Sequence, residues 1–124
     1  MLVGAFAAAS AGAPATALDD RDICVLAEQL ALAAERDVGI WIDRQTRNAG
    51  MVVSCQQMTV EYRRFSYASS ASMTAAWKTR KGADWNATHC GSGVWRDAIS
   101  RGWKIILNET SADGGQASFM ARCE

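Results

Sequence analysis

Cys24, Cys55, Cys90 and Cys123 lie 31, 35 and 33 residues apart and divide the chain at nearly equal intervals. An even set at such spacing is the pattern of a disulfide framework, which an oxidising compartment maintains. A zinc site would more often show a C-x2-C pair. The only histidine, His89, is adjacent to Cys90, where two neighbouring residues ligate one tetrahedral ion awkwardly, so no metal is expected. Four cysteines allow three connectivities. Joining Cys24 to Cys55 and Cys90 to Cys123 is favoured because each ring then closes within one contiguous half of the chain. In the chain-entropy account, rings of about 32 to 34 residues contribute on the order of 3 to 4 kcal/mol each, comparable to the net stability of many small domains.

Met1 to Ala17 carries no charge, and Leu2 to Ala13 is built of Leu, Val, Phe, Ala and small residues. Pro14, Ala15, Thr16 and Ala17 then supply small side chains before Leu18, Asp19 and Asp20, a pattern that resembles a secretory signal peptide. Residues 1–17 are read as that signal, with cleavage after Ala17, although no Lys or Arg precedes the apolar stretch. A membrane anchor wants about 20 strongly apolar residues, and Ala and Gly make this segment too weak. A lipid anchor on Cys24 is disfavoured by the Asp22 and Ile23 that precede it. Residues 18–124 are read as one disulfide-stapled domain, since 124 residues with 49% apolar and 21% charged side chains is the size and composition of a single globular unit.

From Asp19 to about Asp37, Ile23, Leu26, Ala27, Leu30, Ala31 and Ala34 recur at three- and four-residue steps, one face of a helix capped by Asp19 or Asp20. Ile40 to Thr46 is rich in β-formers, Arg47 to Gly50 reads as a turn, and Met51 to Cys55 and Thr59 to Tyr67 read as strand with a bulge near Gln56 and Gln57. Ser69, Ser70 and Ser72 offer caps to a second helix that Gly82 is placed to end. A loop holding Trp85 and His89 leads to a short helix from Val94 to Arg101. Residues from Trp103 to Leu107 and from Ala117 to Cys123 alternate across Asp113, Gly114 and Gly115 as a terminal hairpin. The order α-β-β-α-α-β-β implies an α+β domain in which helices cover one face of an antiparallel sheet.

No catalytic constellation emerges. Cys90 beside His89 is expected in a disulfide rather than free as a nucleophile. Gly91, Ser92 and Gly93 do not form a G-x-S-x-G elbow, and no spacing brings two of Asp84, Asp97, Glu109 and Asp113 together. P-loop, dinucleotide and EF-hand patterns are absent from the sequence, so no cofactor is expected. Of the five tryptophans, Trp77, Trp95 and Trp103 fall on apolar faces and read as core. Trp41 points opposite Ile40 and Ile42, and Trp85 sits in a polar loop, leaving these two as candidates for contact with a partner.

The 13 basic and 13 acidic residues cancel, which denies the chain the bulk attraction that nucleic-acid and membrane-surface binders use. They are unevenly placed: residues 18–38 have a net charge of minus four and residues 39–82 of plus five. Arg44, Arg47, Arg63 and Arg64 form a candidate strip for an acidic protein surface, unless they pair internally with the acidic first helix. These features imply a small exported binding protein of the bacterial periplasm or exterior, an inhibitor or immunity protein or an accessory factor of envelope assembly. Its partner would be another protein, not nucleic acid, with no stable membrane insertion after signal cleavage. A small envelope hydrolase and a cell-wall glycan binder using Trp41 and Trp85 are the rival readings, and a polar cleft of converging, perturbed titratable groups is what would separate enzyme from binder.

Overall fold

A computed structural model describes residues 18–124; the expected signal peptide, residues 1–17, lies outside the described residues. The elements are α1 (Asp20–Arg36), β1 (Thr46–Ser54), β2 (Thr59–Ser66), a short 3-10 turn (Ser70–Ser72), α2 (Ala75–Cys90), α3 (Gly93–Ser100), β3 (Lys104–Thr110) and β4 (Gln116–Met120). This is the α-β-β-α-α-β-β order expected. The disulfides are Cys24–Cys55 and Cys90–Cys123, each closing within its own half of the chain.

α1 begins where the sequence places its cap. The Asp19 carboxylate accepts the Asp22 N–H at 2.8 Å, and the Asp22 carboxylate accepts the Asp19 N–H in return, so two N–H groups that the helix cannot satisfy itself are paired. Its buried contacts are Ile23 and Ala27, one turn apart on the face turned to the sheet. Cys24 adds the covalent tie to Cys55, just past β1.

The sheet order is β1-β2-β3-β4. β1 with β2 and β3 with β4 are antiparallel, but the central pair β2 and β3 is parallel, so the sheet is mixed where an antiparallel one was expected. Both α2 and α3 lie in the connection between β2 and β3. That long crossover returns the chain to the end of the sheet where β2 began, and β3 therefore runs the same way. Strand alternation then sorts the side chains. Met51, Val60, Ile105, Leu107, Ala117 and Phe119 turn inward to meet Ile23, Ala27, Trp85 and Ala98 in the core. The opposite face, with Val52, Glu61, Arg63, Asn108, Ser118 and Met120, carries no helix among the described residues and stays open to solvent to varying degrees.

Three local expectations change. The first hairpin turns at Cys55–Met58, where Met58 has φ 55°, and not at Arg47–Gly50. The bulge lies between Asn48 and Gly50, with Ala49 as the extra residue and Gly50 at φ 110°, a conformation glycine adopts without strain. α2 starts from Thr74, whose hydroxyl accepts the Trp77 N–H, and runs through Gly82 to Cys90. Gly82 is kept within the helix and faces Phe119; a Cβ there would stand 3.6 Å from that ring. Trp85 and His89 are therefore buried helix residues one turn apart, at 5% and 4% exposure, and not loop residues.

The turn before β4 is organised by Asp113. Its carboxylate accepts from the Ser111 hydroxyl and from the Ser70 N–H and hydroxyl. These bonds, Ser111's first, lower its pKa from 3.8 to about 2. A folded-state value below the unfolded one means the carboxylate stabilises fully above pH 3.8 and loses that contribution as pH falls toward 2. An NMR titration should place Asp113 near this depressed value, and Asp113→Asn should flatten that part of the stability profile; a midpoint near 3.8 would refute the turn geometry.

Candidate partner-binding face

The open sheet face ends in an aromatic stack built by strand pairing. Trp41 bridges to Arg47 across the hairpin that precedes β1, and Arg47 pairs with Phe65 of β2. Two residues on, Tyr67 shares Phe65's face. The Arg47 guanidinium carbon lies 4.4 Å from the Trp41 ring centroid and 5.2 Å from that of Tyr67, distances at which a cation is attracted to the ring faces. Phe65 meets Tyr67 edge-on at 4.9 Å. Trp41 and Tyr67 remain 49% and 48% exposed. Ile40 and Ile42, turned the other way by alternation, are also exposed, so the hairpin arm offers apolar surface on both sides.

From Phe65 the face continues into a cleft of roughly 630 Å³ whose lining includes Glu61, Arg63, Asn108, Thr110 and Ser118. Its floor is a polar chain: Arg63 donates to Glu61 at 3.1 Å, Asn108 donates to Glu61, and Ser118 donates to Asn108. The bonds from Arg63 and then Asn108 hold the Glu61 carboxyl below its ordinary range, so it stays ionised and acts as an acceptor only.

A second cleft, of roughly 450 Å³, opens between the sheet and the start of α2 and gathers Asp43, Arg44, Trp77, Lys81 and Glu109. Glu109 is almost fully buried, with Lys81 Nζ 3.5 Å from its Oε1. Desolvation acts to raise Asp43, but hydrogen bonds from the Gln45 backbone and from Thr46 outweigh it and lower its pKa. A depressed carboxyl is a poor proton donor near neutrality.

Among the arginines and tryptophans singled out from the sequence, Trp41, Arg47 and Arg63 share the open face. Arg64 does not: adjacent strand residues point to opposite sides, and Arg64 lies inside with its guanidinium 5.5 Å over Trp85, where desolvation lowers its pKa. Arg44 lines the second cleft. Trp85, buried and donating its indole N–H to the Ile105 carbonyl at 3.0 Å, presents no surface for contact. Of the core tryptophans, Trp103 is 3% exposed, while Trp77 and Trp95 pack against the core half-buried. The acids of α1 do not neutralise the basic segment among the described residues: Asp20 pairs with Arg101, Lys81 with Glu109 and Arg63 with Glu61. Tyr67 and Phe65 were not foreseen; carrying β2's alternation to Tyr67 and setting it against Trp41 would have found them.

No helix of the described residues is long and apolar enough to cross a membrane. No protein-family model and no curated protein matches the chain at a significant level. Two solved structures share its fold. A protein of Pseudomonas aeruginosa described as secreted superposes with a TM-score of 0.63 at 15% identity, covering 85% of this chain and 93% of that one. The pilotin of the Vibrio vulnificus type 2 secretion system superposes with a TM-score of 0.55 at 12% identity, covering 82% of this chain and 89% of that one. At those identities the likeness is one of fold, an α+β domain with a four-stranded mixed sheet under helices on one side.

Proposed function

We propose that the protein is an extracytoplasmic accessory factor of the bacterial envelope that works, without catalysis, by holding a segment of another protein on its helix-free sheet face. The observation that carries this reading is the stack of Trp41, Arg47 and Tyr67 against Phe65, the residue through which it adjoins the larger cleft. Exposed aromatic and arginine side chains around a concavity are what protein interfaces concentrate. The two disulfides support an oxidising compartment, and the fold shared with a secretion-system pilotin supports a role in envelope assembly over an inhibitory one. Against an enzyme stand the pairing of all four cysteines and the burial of His89, whose Nδ1 is engaged with the Trp85 carbonyl at 3.0 Å and whose pKa burial lowers.

The test is site-specific photocrosslinking in the envelope. Benzoylphenylalanine incorporated at Tyr67 or Ser118 should give one and the same protein adduct, whereas incorporation at Leu32, 67% exposed on α1, should give none. Adducts from Leu32 with none from the other two would overturn the reading.

A further inference from the structure

Among the described residues Arg47 has no acidic partner. It forms no salt bridge and donates no side-chain hydrogen bond among the described residues, and its Nε is buried without an acceptor. Leaving Nε unpaired away from water is costly, while the other guanidinium donors remain available to a planar acceptor. Its surroundings deepen the imbalance. The strands place Arg47, Arg63 and Lys104 on the open face against one acid, Glu61, and Glu61 is already engaged by Arg63 and Asn108. The rings fix the guanidinium while leaving half of Trp41 and Tyr67 uncovered, so its end is presented within an apolar frame.

We propose that Arg47 is a preorganised clamp for an Asp or Glu side chain of the partner, and that the segment bound on this face carries that carboxylate flanked by apolar residues. The proposal rests on the docking face of the preceding section and names its ligand chemistry. The apolar neighbours would cover the exposed parts of Trp41, Tyr67 and Phe65, removing water from the ion pair and strengthening it. Because the ring stack already holds the guanidinium, little side-chain entropy remains to be lost on binding.

The probes are three blocked tripeptides, acetyl-Phe-Asp-Leu-amide and its Asn and Lys counterparts, titrated into the disulfide-intact domain and followed by NMR. The Asp peptide should move the Trp41 indole and Arg47 Nε resonances saturably. The Asn peptide should bind about tenfold more weakly or worse, as expected for loss of a charge-assisted pair, and the Lys peptide should not bind. Arg47→Met should equalise the Asp and Asn peptides. Arg47→Lys keeps the charge and should retain part of the difference, which guards against a mere collapse of the stack. Equal binding of Asp and Asn peptides to the unaltered domain, or shifts centred on Trp77 in the other cleft, would overturn the clamp. Crosslinking from Tyr67 and Ser118 does not depend on charge, so the docking face can stand where the clamp fails, and the reverse pattern sinks the face.

Discussion

Trp85→Ala is expected to lower the unfolding free energy by about 3 to 5 kcal/mol, the range for removing a large aromatic from a packed core. The side chain is 5% exposed and is wedged between strands and helix. Tyr62 meets it edge-on at 5.2 Å, His89 lies 4.1 Å away between ring centroids, and Arg64 lies over its face. Truncation would leave a cavity beneath β2 and β3 and strip Arg64 of the ring that shields it. Trp85→Phe should recover most of the loss. The Ile105 carbonyl that accepts the indole N–H also accepts the Ala121 N–H at 2.9 Å, so the smaller ring orphans no acceptor. Urea unfolding with both disulfides intact measures the effect, with Trp41→Ala as the surface control, expected to cost less than about 1 kcal/mol. Equal losses at the two positions would mean that the assignment of core and surface tryptophans is wrong.

That contrast between Trp41 and Trp85 shows where the sequence was readable. Trp41 alternates with Ile40 and Ile42 in a β-rich run, which sets the side it takes, although all three are exposed because the arm is open on both sides. Trp85 follows Gly82, which reads as a helix stop because glycine is an unfavourable helix residue by about 1 kcal/mol relative to alanine. The helix continues through Gly82 because the residues on either side of it are anchored on the sheet, Trp77 against Phe119 and Trp85 on the Ile105 carbonyl, contacts that no local window contains. The cysteine pairing is the one that ring contiguity favours among the three the sequence leaves open, and α1 follows from its apolar step and Asp19. The parallel central pair does not, since period-two alternation is the same in parallel and antiparallel strands. The strip expected of Arg44, Arg47, Arg63 and Arg64 does not form on one face. Arg63 and Arg64 are neighbours in one strand, and the alternation that identified the strand already sends them to opposite faces. Arg47 became distinctive only when Tyr67 closed over it, a pairing set by the Tyr67 N–H bond to the Gln45 carbonyl.

Removing the Cys24–Cys55 bridge as the Cys24→Ala, Cys55→Ala double variant is expected to cost about 3 to 4 kcal/mol, the chain-entropy value for a ring of this size. The loss should fall unevenly on the molecule. α1 buries only Ile23 and Ala27 completely and packs Ala31 and Ala34 partly against the core; its polar ties include an Asn48 side-chain bond to the Ala34 carbonyl and the bonds of Arg101 and Trp103 to Asp20. The sheet, α2 and α3 keep most of the apolar core and the Cys90–Cys123 bridge. Without its covalent tie, α1 should open below the free energy of global unfolding, in the manner of a separate cooperative unit. Hydrogen exchange should then show α1 amides losing protection ahead of those in β2 and β3. The Trp41 indole resonance and the tripeptide binding should persist, because the open face lies across the sheet from α1. A variant that loses less than about 1 kcal/mol, or whose α1 amides still exchange only with the core, would show that packing holds α1 without the disulfide. Loss of tripeptide binding in a variant whose β2 and β3 protection is intact would instead show that α1 shapes the Trp41 hairpin, through the same Asn48 that joins Ala34 to the Gly39 and Ile40 backbone.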